Sequence, residues 1–198
     1  MATIEGRNQR NHHLRAAAPT VPAPRTHGET TTTATMGTGP VRYVWAAARI
    51  AIGWVFLWAF LDKLFGWGFA TPAAKAWING GSPTTGFLKG TADHTFGGLF
   101  NTLAGQAWVD WLFMTGLAGI GAALVLGIGM RIAAATGGLL LLMMWAAELP
   151  LTTNPFMDEH IVYAIVLAGL ALAGAGTTLG LGTRWAATRL VRRFPILK

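Results

Sequence analysis

Apolar residues run almost unbroken from Tyr43 to Phe65, where charge intrudes only at Arg49 and at the pair Asp62-Lys63 inside "WAFLDKLFGWGF", residues 58–69. Similar runs follow near 108–129, 132–150 and 160–182. With the first run, near 42–66, each is long enough for a helix across a hydrocarbon core about 30 Å thick, which takes about 17–25 residues. Gly137-Gly138 lowers the helicity of the third run, but a bilayer leaves an apolar backbone little alternative to a helix. Before these runs the chain changes character. Arg7, Arg10, Arg15 and Arg25, with the low-complexity "ETTTTATMGTG", cannot bury enough apolar area to offset chain entropy. The pattern predicts an all-α membrane protein: a four-transmembrane-helix bundle over 41–183 with an outer loop at 67–107, a disordered N-terminal tail at 1–40 and a basic tail at 184–198.

Composition agrees with the pattern. Of the 198 residues, 53% are hydrophobic and 12% charged, and the mean hydropathy is +0.45, too apolar for a water-soluble domain of this length. Charge then sets an orientation. If the runs alternate across the membrane, the side holding both termini and Arg131 collects 12 of the 15 Lys and Arg with Glu5 and Glu29, a net of 12 − 2 = +10. The other side holds Lys63, Lys75 and Lys89 with Asp62, Asp93, Asp110, Glu148, Asp158 and Glu159, a net of 3 − 6 = −3. The positive-inside rule therefore expects a multi-pass inner (plasma) membrane protein with both termini cytoplasmic. Arg184, Arg189, Arg192, Arg193 and Lys198 directly follow the last run, where basic residues bind anionic lipid, so the expected partner of this charge is membrane lipid and not nucleic acid. The chain has no cysteine, which removes thiolate, disulfide and iron–sulfur chemistry.

Small residues recur every four positions at Thr115, Gly119, Ala123 and Gly127, and at Gly169, Ala173 and Thr177, as they do where membrane helices approach closely. These tracks are expected to face neighbouring helices.

The acids collect at one rim: Asp62 ends the first run, Asp110 begins the second, Glu148 ends the third and "NPFMDEH" precedes the fourth. Pro155, Asp158 and Glu159 suit a helix start, where carboxylates favour the positive end of the dipole. Asp62 sits at the opposite, unfavourable end of its helix and should need a partner, with Lys75, Lys89, His94 and His160 the candidates. Lys63 points elsewhere on the helix and returns to within about 40° of the Arg49 face. His94 and His160 join this rim, but no set of ligands at metal-binding spacing is visible, so neither metal nor haem is expected. Arg49 lies about two turns into the first run. The residues leave two placements open: a side chain that snorkels to the interface, or one that faces the bundle and holds an acidic or quinone-like group. The loop at 67–107 is too long for a simple connection. Its aromatic residues suit either a lid over the rim or an interfacial belt.

Taken together, "RIAIGWVFLWAFLDKLFG", "AWINGGSPTTGFL", "LGIGMR" and "NPFMDEHIVYAIVLAGLAL" resemble the DoxX/DoxD family of four-span membrane proteins, and especially its actinobacterial members. The family includes the large subunit of thiosulfate:quinone oxidoreductase. The resemblance covers about residues 42–195. It implies a four-helix bundle and, more loosely, electron transfer from a sulfur compound to membrane quinone. Arg49, Lys63 and Arg131 stand where the family carries basic residues. Many members have a glutamate early in the second span, where this chain has Leu117 or Thr115. The resemblance thus points to Lys63 with His94 or His160 attracting the anion, Asp62 or Glu148 handling protons and Arg49 nearer the quinone, with a second redox subunit or self-association as further partners. The alternative is a non-enzymatic subunit that scaffolds a redox or stress-response complex.

Overall fold

The computed structural model describes residues 39–198, and those residues form helices and turns without a strand. The tail expected at 1–40 lies almost wholly outside them. Three helices are long and apolar enough to cross a membrane: α1 (Val41–Phe65), α4 (Ala107–Leu126) and α5 (Met130–Ala147). Between α1 and α4 come two short helices, α2 (Thr85–Gly90) and α3 (Gly97–Leu103). A fourth apolar helix, α6 (Glu159–Leu172), follows α5, and α7 (Gly182–Ala186) and α8 (Arg189–Arg193) close the chain.

α1 packs chiefly on α4, and α5 on α6, while α4 and α5 touch less. The α1–α4 pair is close because glycine stands on both sides. A Cβ on Gly53 would lie 2.9 Å from Leu124 Cβ, and one on Gly121 would lie 2.7 Å from the Leu57 backbone nitrogen. Phe56, Met114, Ile120, Leu124, Leu141 and Leu167 fill the centre. Outward faces are apolar as well, with Trp54 50%, Leu112 65%, Leu139 60% and Ile165 63% exposed, a surface compatible with lipid contact.

Two expectations differ from the structure. The helix expected over 160–182 stops at Leu172, after 14 residues and about 21 Å of rise. Gly174 then takes a left-handed conformation (φ 64°), a short turn at Ala175–Thr177 follows, and the chain folds back so that Leu181 N donates to Leu126 O at 2.8 Å. The segment "GAGTTLGLG" allows this because glycines let backbone rest on backbone. The small-residue track on α4 is the second difference. Gly121 and Gly53, off that track, make the α1–α4 approach; on it Gly127 lies against the Gly176 backbone as expected, whereas Thr115, Gly119 and Ala123 line an open groove. The basic tail is folded: Trp185 Nε1 donates to Leu197 O at 2.6 Å and Arg131 N to Lys198 O at 2.9 Å, which ties it to the start of α5.

The 67–107 segment is a cap with its own small core. Leu88, Phe100 and Ala147, with Phe87, Leu103 and Val109, join it to the ends of α4 and α5. Thr95 N donates to Leu149 O at 2.8 Å, and His94 Nδ1 to Ala147 O at 2.9 Å.

Candidate functional site

Arg49 does not snorkel. It is fully buried, and its Nη1 donates to Leu124 O and, at 3.0 Å, to Val125 O, while Nη2 donates to Leu179 O at 2.8 Å and Thr178 O at 3.3 Å. These carbonyls belong to the last turn of α4, where the regular helical donors run out, and to the fold-back after α6. Five fixed donors in one plane suit that task, so the guanidinium closes two chain ends with a single charge. Its Nε is buried without a hydrogen-bond partner.

Asp62 is 2% exposed at the end of α1. The carbonyl of Asp62 accepts from the C-capping Gly66 N at 2.8 Å. The carboxylate takes the N–H of Phe69 at 3.3 Å and of Ala70 at 3.0 Å. A partner from the long loop or the fourth helix was expected, and the loop supplies it. The partners are two backbone amides, however, and not Lys75, Lys89, His94 or His160. A turn of backbone N–H groups meets the need as well as a cation does, and sequence spacing does not reveal it. These bonds hold the 69–72 segment in place.

That segment forms one wall of a polar cavity of about 570 Å³, lined by Lys63, Thr71, Lys75, Ser82 and Thr85 among others. The lining carries two lysines and no carboxylate. Asp110, buried at the start of α4, shapes the opposite wall by accepting Ser82 Oγ at 2.9 Å, Thr84 Oγ1 at 2.6 Å and Thr84 N at 3.2 Å. Ser82, Thr85 and the organising role of Asp110 were not picked out from the sequence, and Lys75 was named there only as a candidate partner of Asp62. The hydroxyl-rich "GGSPTT" was the available signal.

A second cavity adjoins the first. It is an apolar groove of about 730 Å³ along α4 and α5, with Phe87, Phe113, Gly116, Gly119, Leu140 and Met144 in its walls, Lys63 at one end and Trp185 at the other. Lys63 lines both cavities.

Glu148 and His160 lie apart from these. Asp158 caps α6, accepting Ile161 N at 3.2 Å through Oδ1, and its Oδ2 accepts His160 Nδ1 at 2.8 Å. Burial alone would raise the Asp158 carboxyl. The His160 and Ile161 hydrogen bonds and the nearby imidazole outweigh that and hold it below the ordinary carboxylate range. Glu148, the C-cap of α5, joins them: one donor atom from each of Glu148, Asp158 and His160 lies within 4.8 Å of the others. The structure therefore separates the five residues singled out from sequence. Asp62 and Lys63 belong to the α1 end and its cavities, Glu148 and His160 to the α5–α6 turn, and Arg49 to the opposite end of the groove region, bonded to the last turn of α4.

Among the described residues, fold and site together define an all-helical arrangement with three membrane-length helices and a lysine set between a polar and an apolar cavity. The chain matches no protein-family model, no curated protein and no solved structure.

Proposed function

We propose that this chain is a DoxX-type, four-span inner-membrane protein with cytoplasmic termini, acting as a quinone-linked redox subunit that oxidises thiosulfate or a related sulfur oxyanion. The observation that carries the reading is Lys63, the one charged residue lining both cavities. The apolar groove fits the isoprenoid tail of a quinone lying between helices, and the polar cavity, with Lys63, Lys75 and the hydroxyls of Thr71, Ser82 and Thr85, fits a small dianion. In this reading α6, 14 residues long, serves as the fourth span.

When bound, a quinone supplies a two-electron, two-proton acceptor. Forming one sulfur–sulfur bond between two thiosulfates would release two electrons, and a bound quinone would take these with two protons from solvent to become quinol. The protein's contribution is placement. Lys63 and Lys75 offset the dianion's charge in a site partly shielded from water, where Coulomb attraction is stronger than in bulk. Lys63 holds the oxygen end of the acceptor, a task for which Arg49 has no free Nη donor. Asp62 positions the 69–72 wall through its two amide bonds, and Asp110 positions Ser82.

A second reading is a non-enzymatic scaffold. Thr115, Gly119 and Ala123 line the groove, and among the described residues nothing lies within 4 Å of where a Cβ on Gly119 would stand, so the track suits a helix of a partner subunit.

Purified full-length protein should yield quinone on solvent extraction and, with its partner subunit, reduce a soluble quinone when given thiosulfate. Lys63→Ala should raise the thiosulfate KM by about 10-fold or more, the loss of one counter-charge worth ~1.4 kcal/mol. Bound quinone with no turnover on any sulfur donor would instead support the scaffold. No bound quinone and no turnover would sink the redox reading.

A further inference from the structure

We infer that Glu148, Asp158 and His160 form a binding site for a divalent first-row transition-metal ion such as Zn²⁺ or Mn²⁺ at the outer turn between α5 and α6. The inference is independent of the proposed quinone chemistry, since none of the three residues lines either cavity.

Convergence is the first observation. One donor atom from each residue lies within 4.8 Å of the others, although Glu148 ends one helix while Asp158 and His160 begin the next. Metal–donor bonds of about 2.0–2.2 Å place neighbouring donors roughly 3 Å apart, so a modest turn of the Glu148 side chain completes the set. Among the described residues the Glu148 carboxylate accepts no hydrogen bond and has no ion pair, so nothing opposes that movement.

The second observation is His160. It is 8% exposed, its Nδ1 is bonded to Asp158, and its other ring nitrogen has no hydrogen-bond partner among the described residues. Its Nδ1 and Asp158 Oδ2 already stand at about the separation that two ligands of one ion keep, so an ion would take the place of the proton they share. Charge is the third. Two carboxylates meet here, one of them at the negative end of the α5 dipole, and among the described residues no Lys or Arg pairs with either. A cation is what the cluster lacks.

Two carboxylates and one imidazole make a three-ligand set that leaves room for water, and their hardness suits zinc or manganese better than copper(I) or an iron–sulfur cluster. The turn is already braced for it. Asn154 Oδ1 accepts Phe156 N and Met157 N at 3.2 and 3.0 Å, and Trp145 Nε1 donates to Phe156 O at 2.9 Å, which returns Asp158 to the end of α5. The ion would clasp α5 to α6.

The test uses the full chain in detergent, prepared without a histidine tag and with His12, His13 and His27 changed to alanine, so that only His94 and His160 remain. After chelator treatment, dialysis against micromolar Zn²⁺ should leave one zinc per chain by elemental analysis. Zinc should also raise Tm, because an ion that binds only the folded state stabilises it. Glu148→Gln lies at a half-buried helix end and leaves the core intact, and it should weaken zinc binding about 100-fold and abolish the Tm rise. His160→Gln should do the same. Absence of zinc from the parent, or zinc retained equally by Glu148→Gln, would overturn the site.

Discussion

Asp62 shows how a buried acid can be satisfied without a cation. Its two oxygens each accept one backbone N–H, from Phe69 and Ala70. Asp62→Asn keeps the shape but turns one acceptor into a donor, so one buried amide loses its partner at about 1–3 kcal/mol. Asp62→Asn should therefore lower Tm in detergent clearly, while Asp93→Asn, in an exposed stretch of the same loop, should leave it unchanged. Differential scanning fluorimetry of the two variants checks this. Equal shifts would mean that the amides find water instead. Arg49 makes the complementary point with the opposite charge. Carbonyls from two chain ends converge on one guanidinium, and a lysine there could not reach them all from a single nitrogen.

Among the elements, α1 and α4 are joined by glycine and α4 and α5 are held apart by an open groove. Those two roles fall on different faces of α4. Gly121→Val would press a branched side chain into the Leu57 backbone, while Gly119 has nothing within 4 Å of where a Cβ would stand. Overpacking of this kind costs typically about 1–3 kcal/mol. Gly121→Val should lower Tm accordingly. Gly119→Leu should fold normally yet reduce the quinone recovered by extraction, because it fills the groove that Gly119 lines. If both variants behaved alike, the distinction between contact face and groove face would fail.

For the whole molecule, the sorting of charge between alternate ends of the helices makes a topological claim that can be checked directly, since the native chain contains no cysteine. Single cysteines at Lys89 and Thr153 should react with impermeant maleimide in intact cells. A reporter fused after Lys198 should be active only in the cytoplasm. Protected cysteines at both positions would remove the alternating four-span arrangement, and with it the placing of both cavities toward the outside.

The helices were legible because hydropathy is local. An apolar run of twenty residues has few options in a bilayer, and α1, α4 and α5 begin and end within a few residues of their expected bounds. The end of α6 was harder to read. Glycine and alanine continue the apolar pattern through 182, and only backbone packing near Gly127 and Gly176 reveals that the chain turns. The site was legible as a list of charged residues at one rim and not as groups. Helix periodicity separates Asp62 from Lys63, but it does not show that Asp62 faces two amides or that Lys63 stands between two cavities. Glu148 and His160 are twelve positions apart across a turn without regular structure, so their meeting depends on the folded path of residues 149–158. Local sequence determined which segments are apolar helices and which end carries the acids, since both follow from the transfer of side chains out of water. Tertiary structure alone decided which charges share a neighbour, because that depends on how distant segments pack.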